Sequence, residues 1–282
     1  MEILKDYDRS INWIEDADIG KHETRLVWRD NKAIIYLSSQ TGCDHACRMC
    51  HLTQTGQLAH RNVTMKELMD NCDRAIIQMA REQMPSNLHL NFMARGEPLA
   101  NTELLDKWEE FSTYAAGMKY HNAHNVDVLI STIFPKTFNI EDLQKLAKGP
   151  IWPKLYYSAY SAEEKFRKKW LPKAHSYFDG IEFLKEWTYM GGNCKIHFAF
   201  IEGENDSEKQ VEVLCNYIAV NRLRADVNIV RYNPANDSSR ESSESIINRN
   251  TKLIKQMLPY AKVKIIPRVG FNVKASCGMF VS

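Results

Sequence analysis

Short apolar, β-branched runs alternate with longer amphipathic stretches from residue 33 to residue 267. The runs AIIYLS (33–38), NLHLNFM (87–93), VDVLIS (126–131), LYYSAY (155–160), KIHFAFI (195–201), DVNIVRY (226–232) and KVKIIP (262–267) read as buried strands. Between them, apolar residues recur at helical spacing over 64–83, 102–116, 140–147, 177–189, 207–221 and 243–258. The first of these opens on Thr64 and Glu67, a capping-box pair that marks a helix start. Strand and helix repeated in this way predict an α/β fold, a parallel sheet covered by outer helices. Right-handed crossovers curl such a sheet into a full or partial barrel, with reactive groups at the carboxyl ends of the strands. No linker or repeat divides the pattern; NPANDSSRESSES (233–245) reads as one polar loop feeding a helix.

Composition changes this picture little. The chain has 282 residues, 44% hydrophobic and 26% charged, enough for one large domain or two modest ones. A formal net charge of +2 implies no strong polyelectrolyte field, so a nucleic-acid partner is neither demanded nor excluded. The first twenty residues are charged throughout and contain no apolar core of signal-peptide length, and no stretch approaches a membrane span. A cytoplasmic protein with no membrane partner is expected. Seven cysteines, an odd number in a long chain, argue for a reducing compartment and a metal or reactive thiol.

Three of the seven stand together. TGCDHACRMCHLTQ (41–54) places Cys43, Cys47 and Cys50 in the loop after the first strand of the alternating series. Thiolates that close suggest a soft metal site. A structural zinc ion would want a fourth ligand, for which His45, His51 and His60 are the nearby candidates. A four-iron cluster normally takes four cysteines; three leave one iron open to a substrate or cofactor.

The three-and-two spacing is the signature of the radical S-adenosylmethionine (SAM) enzymes. Further segments resemble their RlmN/Cfr branch of adenine carbon methyltransferases. The matching segments are SSQTGCDHACRMC (38–50), MARGEPLAN (93–101), ISTIFP (130–135), YSAYSAEEKFR (157–167), YNPAND (232–237) and ASCGMF (275–280), in family order. The resemblance implies a partial (β/α)6-type radical SAM barrel over residues 31–282, behind a short extension at 1–30 and with a C-terminal segment closing the site. It implies a [4Fe-4S] cluster on Cys43, Cys47 and Cys50, with SAM chelating the open iron and yielding a 5′-deoxyadenosyl radical. Gly96, Glu97, Ser131, Ser158 and Asn233 are then SAM contacts. Cys277 is the methyl carrier, and Glu23, in HET (22–24), is the base that takes the proton from the modified carbon. The implied partners are a nucleic acid or modified nucleotide as substrate and an external one-electron reductant of flavodoxin type.

Ser158-Ala159-Tyr160 stands where the family has Ser-Leu-His, and two further positions depart from the family pattern. Tyr36 stands where the family has the second cysteine that releases the protein–RNA adduct, and a phenol does no disulfide exchange. Arg95 replaces the methionine of Gly-Met-Gly-Glu-Pro. Methylation of an adenine carbon through Cys277 and rearrangement of a substituent on a modified base, such as hypermodified thymidine of viral DNA, both stay open. A zinc-stabilised, non-enzymatic binding module is the third reading. The basic run KFRKKWLPKAH (165–175), with Trp170 amid its lysines, reads either as a phosphate-and-stacking patch for nucleic acid or as a solvated helix face.

Overall fold

The computed structural model describes residues 1–29, 32–82, 85–121, 125–268, 270–276 and 278–281. Ten strands form one sheet in sequential order, β1 to β10. Strands β1 (Glu2–Lys5), β2 (Ile11–Asp16) and β3 (Lys21–Arg29) run as an antiparallel meander into β4 (Lys32–Leu37). Strands β5 (Asn87–Phe92), β6 (Asn125–Thr132), β7 (Lys154–Ser158), β8 (Cys194–Phe198), β9 (Asp226–Val230) and β10 (Val263–Ile266) continue it in parallel.

Each parallel step crosses over through helix, as the alternating pattern predicts. The helices are α1 (His51–Gln54), α2 (Met65–Ala80), α3 (Thr102–Asp106), α4 (Trp108–His121), α5 (Asp142–Leu146), α6 (Glu164–Trp170), α7 (Tyr177–Tyr189), α8 (Glu208–Val220) and α9 (Glu244–Met257). Thr64 and Glu67 form the expected capping box on α2, and Ser176–Asp179 and Ser207–Gln210 do the same on α7 and α8. The predicted single helix at 102–116 is two, parted at Lys107. Its inward residues Leu104, Leu105, Trp108 and Phe111 are all buried.

Three apolar clusters position the site. The largest lies between the outer sheet face and the helices, and holds Leu37, Leu68, Trp108, Tyr157 and Trp187. A second gathers Met49, Ile133, Trp170, Ile201 and Tyr232 at the carboxyl ends of the strands, with Cys47 against it. The third is on the inner face, where Val27, Ile34 and Tyr36 meet Val273 and Ala275 of the C-terminal segment. One cavity of ≈ 460 Å³ is lined by residues of every strand from β3 to β10, β6 contributing Leu129 alone. The parallel sheet therefore curls around that space. No helix among the described residues is long and apolar enough to cross a membrane.

Candidate active site

The chain leaves β4 at Ser38 and folds back on itself as a tied loop. Ser39 N–H donates to the Arg95 carbonyl (2.8 Å), Thr41 N–H to that of Arg61 (3.0 Å), and Cys43 N–H to that of Gln57 (3.2 Å). Gly42 is required there, because a Cβ would stand 2.4 Å from the Ala59 carbonyl oxygen. Ala46, between the first two cysteines, holds a left-handed φ of 55°, a strained state for a residue with a Cβ. Arg48 N–H donates to the Trp170 carbonyl (2.9 Å), which braces the loop against α6.

This folding brings three half-buried thiols close enough for Cys43 and Cys50 to act on Cys47. Burial, and then the neighbouring thiolates, push Cys47 well up; burial pushes Cys43 up to about 12, with Cys50 adding to it; burial raises Cys50. Thiols in that state become thiolates only when positive charge arrives with them. Among the described residues no three His, Cys, Asp or Glu side chains converge on a single-ion position. A four-iron cube takes its thiolates one per iron, on separate corners, so the three thiols fit a [4Fe-4S] group as a donor set. His45 Nδ1 lies 3.6 Å from Cys43 Sγ, whereas His60 Nδ1 faces the Leu58 carbonyl (2.9 Å) and His51 Nε2 the Asn233 carbonyl (3.3 Å). The six described cysteines are free thiols, and Cys72, Cys194 and Cys215 are buried in the core.

The remaining site positions stand at strand ends. Gly96, after β5, has φ 89°, and a Cβ there would meet Gln40 Cβ at 2.5 Å. Its missing side chain lets the Gly-Glu-Pro turn seat on the cysteine loop. Glu97 is buried; its carboxylate accepts from Leu99 N–H (3.2 Å) and Ile133 N–H (3.1 Å). Burial raises it to about 7, against hydrogen bonds that pull the other way. It makes no ion pair among the described residues, and its charge is felt by Cys43 and Cys47. A buried carboxylate with no cation suits an ammonium group brought by a ligand. Ser131 Oγ, on β6, is buried with no hydrogen-bond partner, a second vacancy for a polar ligand. Ser158 ends β7, half-buried. Asn233 differs: its Oδ1 accepts from Arg268 Nε (2.7 Å), so that oxygen is occupied by the protein itself.

Glu23 is where the structure departs most from the expected role. It is fully buried on β3, and its carboxylate is gripped by Arg25 (2.7 Å), Arg95 (2.7 Å) and Asn12 Nδ2 (2.9 Å). Burial works against ionisation, but the two guanidinium groups outweigh it and hold the carboxyl below its usual range. A carboxylate so stabilised is a weak base. The same group fastens the C-terminal segment. Val281 N–H donates to Glu23 Oε1 (3.2 Å), Arg25 to the Met279 carbonyl (2.7 Å), Arg95 to the Val281 carbonyl, and Asn12 to the Val273 carbonyl (3.0 Å). Arg25 also lies 4.9 Å from the Phe280 ring centroid. Cys277 lies outside the described residues; its neighbour Gly278 accepts at its carbonyl from His51 N–H (3.3 Å), beside Cys50. Arg25 and Asn12 gave no signal in the sequence, while Arg95 was visible only as a departure whose partner was unknown.

Of the two readings of the basic run, the structure favours the helix face. Trp170 is buried, and its Nε1–H donates to Glu204 (2.9 Å). Arg167 is also buried and bonds the Ala159 and His175 carbonyls (2.8 and 2.6 Å). Lys173 pairs with Asp44 (2.7 Å) and Lys169 with Glu204. The indole packs the cysteine loop and offers no free face on which to stack a base.

No model of a known protein family matches the chain. It is 26% identical over 277 residues to a probable dual-specificity RNA methyltransferase RlmN of Chlorobium phaeobacteroides, covering 95% of this chain and 72% of that one. It is likewise 26% identical over 271 residues to the probable RlmN of Flavobacterium psychrophilum, covering 92% and 72%. A radical SAM methyltransferase from Sphaerobacter thermophilus has a similar fold, with a TM-score of 0.79, 20% identity, and 99% and 80% of the two chains covered. In sequence likeness, in fold and in its three-thiol loop, the chain is similar to the RlmN/Cfr-like radical SAM methyltransferases.

Proposed function

We propose that this enzyme modifies a base of a nucleic acid or modified nucleotide, with methylation of an adenine carbon through Cys277 as the reading nearest its relatives. The observation that carries the proposal is the trio of half-buried thiols of Cys43, Cys47 and Cys50, held in one tied loop at the carboxyl end of a parallel sheet, beside a carboxylate without a cation among the described residues. When bound, a [4Fe-4S] cluster and SAM supply a 5′-deoxyadenosyl radical, the cofactor carrying the hard chemistry. The chain's residues supply position and dryness. Cys43, Cys47 and Cys50 hold the cluster; Glu97 accepts from the SAM ammonium group; Ser131 and Ser158 take its polar oxygens, and Gly96 and Asn233 shape the same wall. The described residues of the C-terminal segment are tied to Glu23, Arg25 and Arg95, and Cys277 would serve as the methyl carrier. Residues 31–282 act as the radical SAM domain, in the cytoplasm, with an external flavodoxin-like reductant.

A second reading, rearrangement of a base substituent, is favoured by two observations. Tyr36, on β4, occupies the second cysteine's place. Glu23 is spent on an ion-pair network and is not poised as a base. An unlabelled but altered base after turnover with SAM deuterated in its methyl group would establish rearrangement. Deuterium in the product base would establish methyl transfer. A protein that cleaves SAM but never changes any base would defeat both.

A further inference from the structure

Residues 278–281 are held by two sets of partners. One set stands on the sheet: Arg25 donates to the Met279 carbonyl (2.7 Å), and Val281 N–H donates to Glu23 (3.2 Å). Met279 and Phe280 are buried, and Arg25 and Arg95 lie 4.9 and 5.9 Å from the Phe280 ring centroid. The other set belongs to the cysteine loop and its return. His51, the residue after Cys50, donates its N–H to the Gly278 carbonyl (3.3 Å), and Gln57 Nε2 donates to the Val281 carbonyl (3.1 Å). These two bonds clasp the segment at its first and last residues.

Gln57 joins the two sets. Its Oε1 accepts from Arg95 Nη1, Arg95 Nη2 donates to the same Val281 carbonyl, and Arg95 Nε donates to Glu23 (2.7 Å). The backbone of Gln57 is tied to the thiol-bearing loop: its carbonyl accepts from Cys43 N–H (3.2 Å), and its N–H donates to the Leu52 carbonyl (2.9 Å). One half-buried residue thus links loop, sheet and tail. Between Cys43 and Cys47 the loop carries the left-handed Ala46 (φ 55°), a state that persists only where the surroundings impose it. A group bound to all three thiols fixes that backbone at three points. The bonds from His51 and Gln57 to the tail are therefore only as firm as the loop that presents them.

We propose that residues 278–281 form a strap whose docking is coupled to the cluster: the loaded loop presents His51 and Gln57 and closes the strap, and the empty loop releases it, opening the thiols to incoming iron and sulfide. Gln57 is the positioning residue of this coupling. The inference rests on the cluster reading of the three-thiol loop and adds a regulation of that site. Coupling of this kind is reciprocal, so a strap held down by the cluster also holds the cluster in.

The test is amide hydrogen exchange, read by mass spectrometry on the whole chain before and after anaerobic reconstitution, with iron and sulfide assayed on every sample. Two ordinary hydrogen bonds shift an opening equilibrium by about tenfold or more, so the amides of residues 279–281 should exchange about tenfold more slowly in the loaded protein. Gln57→Leu should still load iron but cut that protection about fivefold, the share of one bond. It should also release iron to a chelator about fivefold faster than wild type, by the same reciprocity. Phe280→Ala, which loosens the strap from the tail side, should likewise speed iron release. Exchange over α9 should be the same in every sample, which shows that the barrel is folded. Iron uptake with unchanged exchange at 279–281, protection that survives Gln57→Leu in full, or wild-type iron retention in both variants would overturn the coupling alone. A wild-type chain that takes up no iron would overturn the cluster reading and the strap with it.

Discussion

A carboxylate between two guanidinium groups does not readily take a proton, and Glu23 lies between Arg25 and Arg95 with no solvent contact. Its physical role is that of a buried anchor. Glu23→Gln leaves two buried cations underpaired and should destabilise the fold by about 3–5 kcal/mol. Chemical denaturation would read this loss, and hydrogen exchange should localise it to the C-terminal segment. Arg95→Met, which restores the family's methionine, leaves the Glu23–Arg25 pair in place and should be milder. Equal losses in the two variants would show that Arg95, not Glu23, is the centre of the network. His197 carries a second residue-scale prediction. Burial holds its imidazole down to about 3, so it folds neutral. A base lowered in this way binds fewer protons folded than unfolded between its two pKa values. Stability should therefore fall as pH drops from about 6.5, the unfolded value, toward 4. His197→Asn should make the fall in thermal midpoint shallower; an unchanged slope would mean that His197 contributes nothing to acid lability.

At the scale of elements, the cysteine loop depends on two glycines more than on any side chain outside the cysteines. Gly42→Ala puts a methyl group 2.4 Å from a carbonyl oxygen, and Gly96→Ala puts one 2.5 Å from Gln40 Cβ at φ 89°. Each should cost about 1–3 kcal/mol of local strain and reduce iron uptake, while circular dichroism of the barrel stays unchanged. Undiminished iron content in both would mean that the loop adapts and the close seating is incidental. The parallel strands were legible because their apolar runs are bounded by polar turns and separated by amphipathic helices. Strands β1 to β3 were not, because WIEDAD and ETRLVWRD mix charge into runs that are buried only after pairing. Asn12, Glu23 and Arg25 face inward there and are neutralised by one another. No local pattern reports such partners. The same reason hid the inward side of α6: its lysines read as a surface, yet Arg167 and Trp170 are buried and meet carbonyls and Glu204. The cysteines, Glu97 and Ser131 were readable because short spacing and strand ends already place them.

For the whole molecule, chemistry is divided between the two ends of one curled sheet. Thiols, Glu97 without an ion-pair partner among the described residues, and the tied C-terminal segment occupy the carboxyl end; Lys32, Lys154, Lys195 and Lys264 line the cavity toward the amino end. On the function proposed, this arrangement would keep a reactive radical dry between cofactor and base, with the tied C-terminal residues as a closing wall. Its central claim is that Cys43, Cys47 and Cys50 grip a cluster whose open iron takes SAM. The most direct measurement is iron and sulfide content together with 5′-deoxyadenosine formation, after anaerobic reconstitution and reduction with dithionite. The account predicts about four irons and four sulfides per chain, with SAM cleavage lost in Cys47→Ala. Wild-type protein without iron or sulfide, or a Cys47→Ala variant that still cleaves SAM, would contradict it.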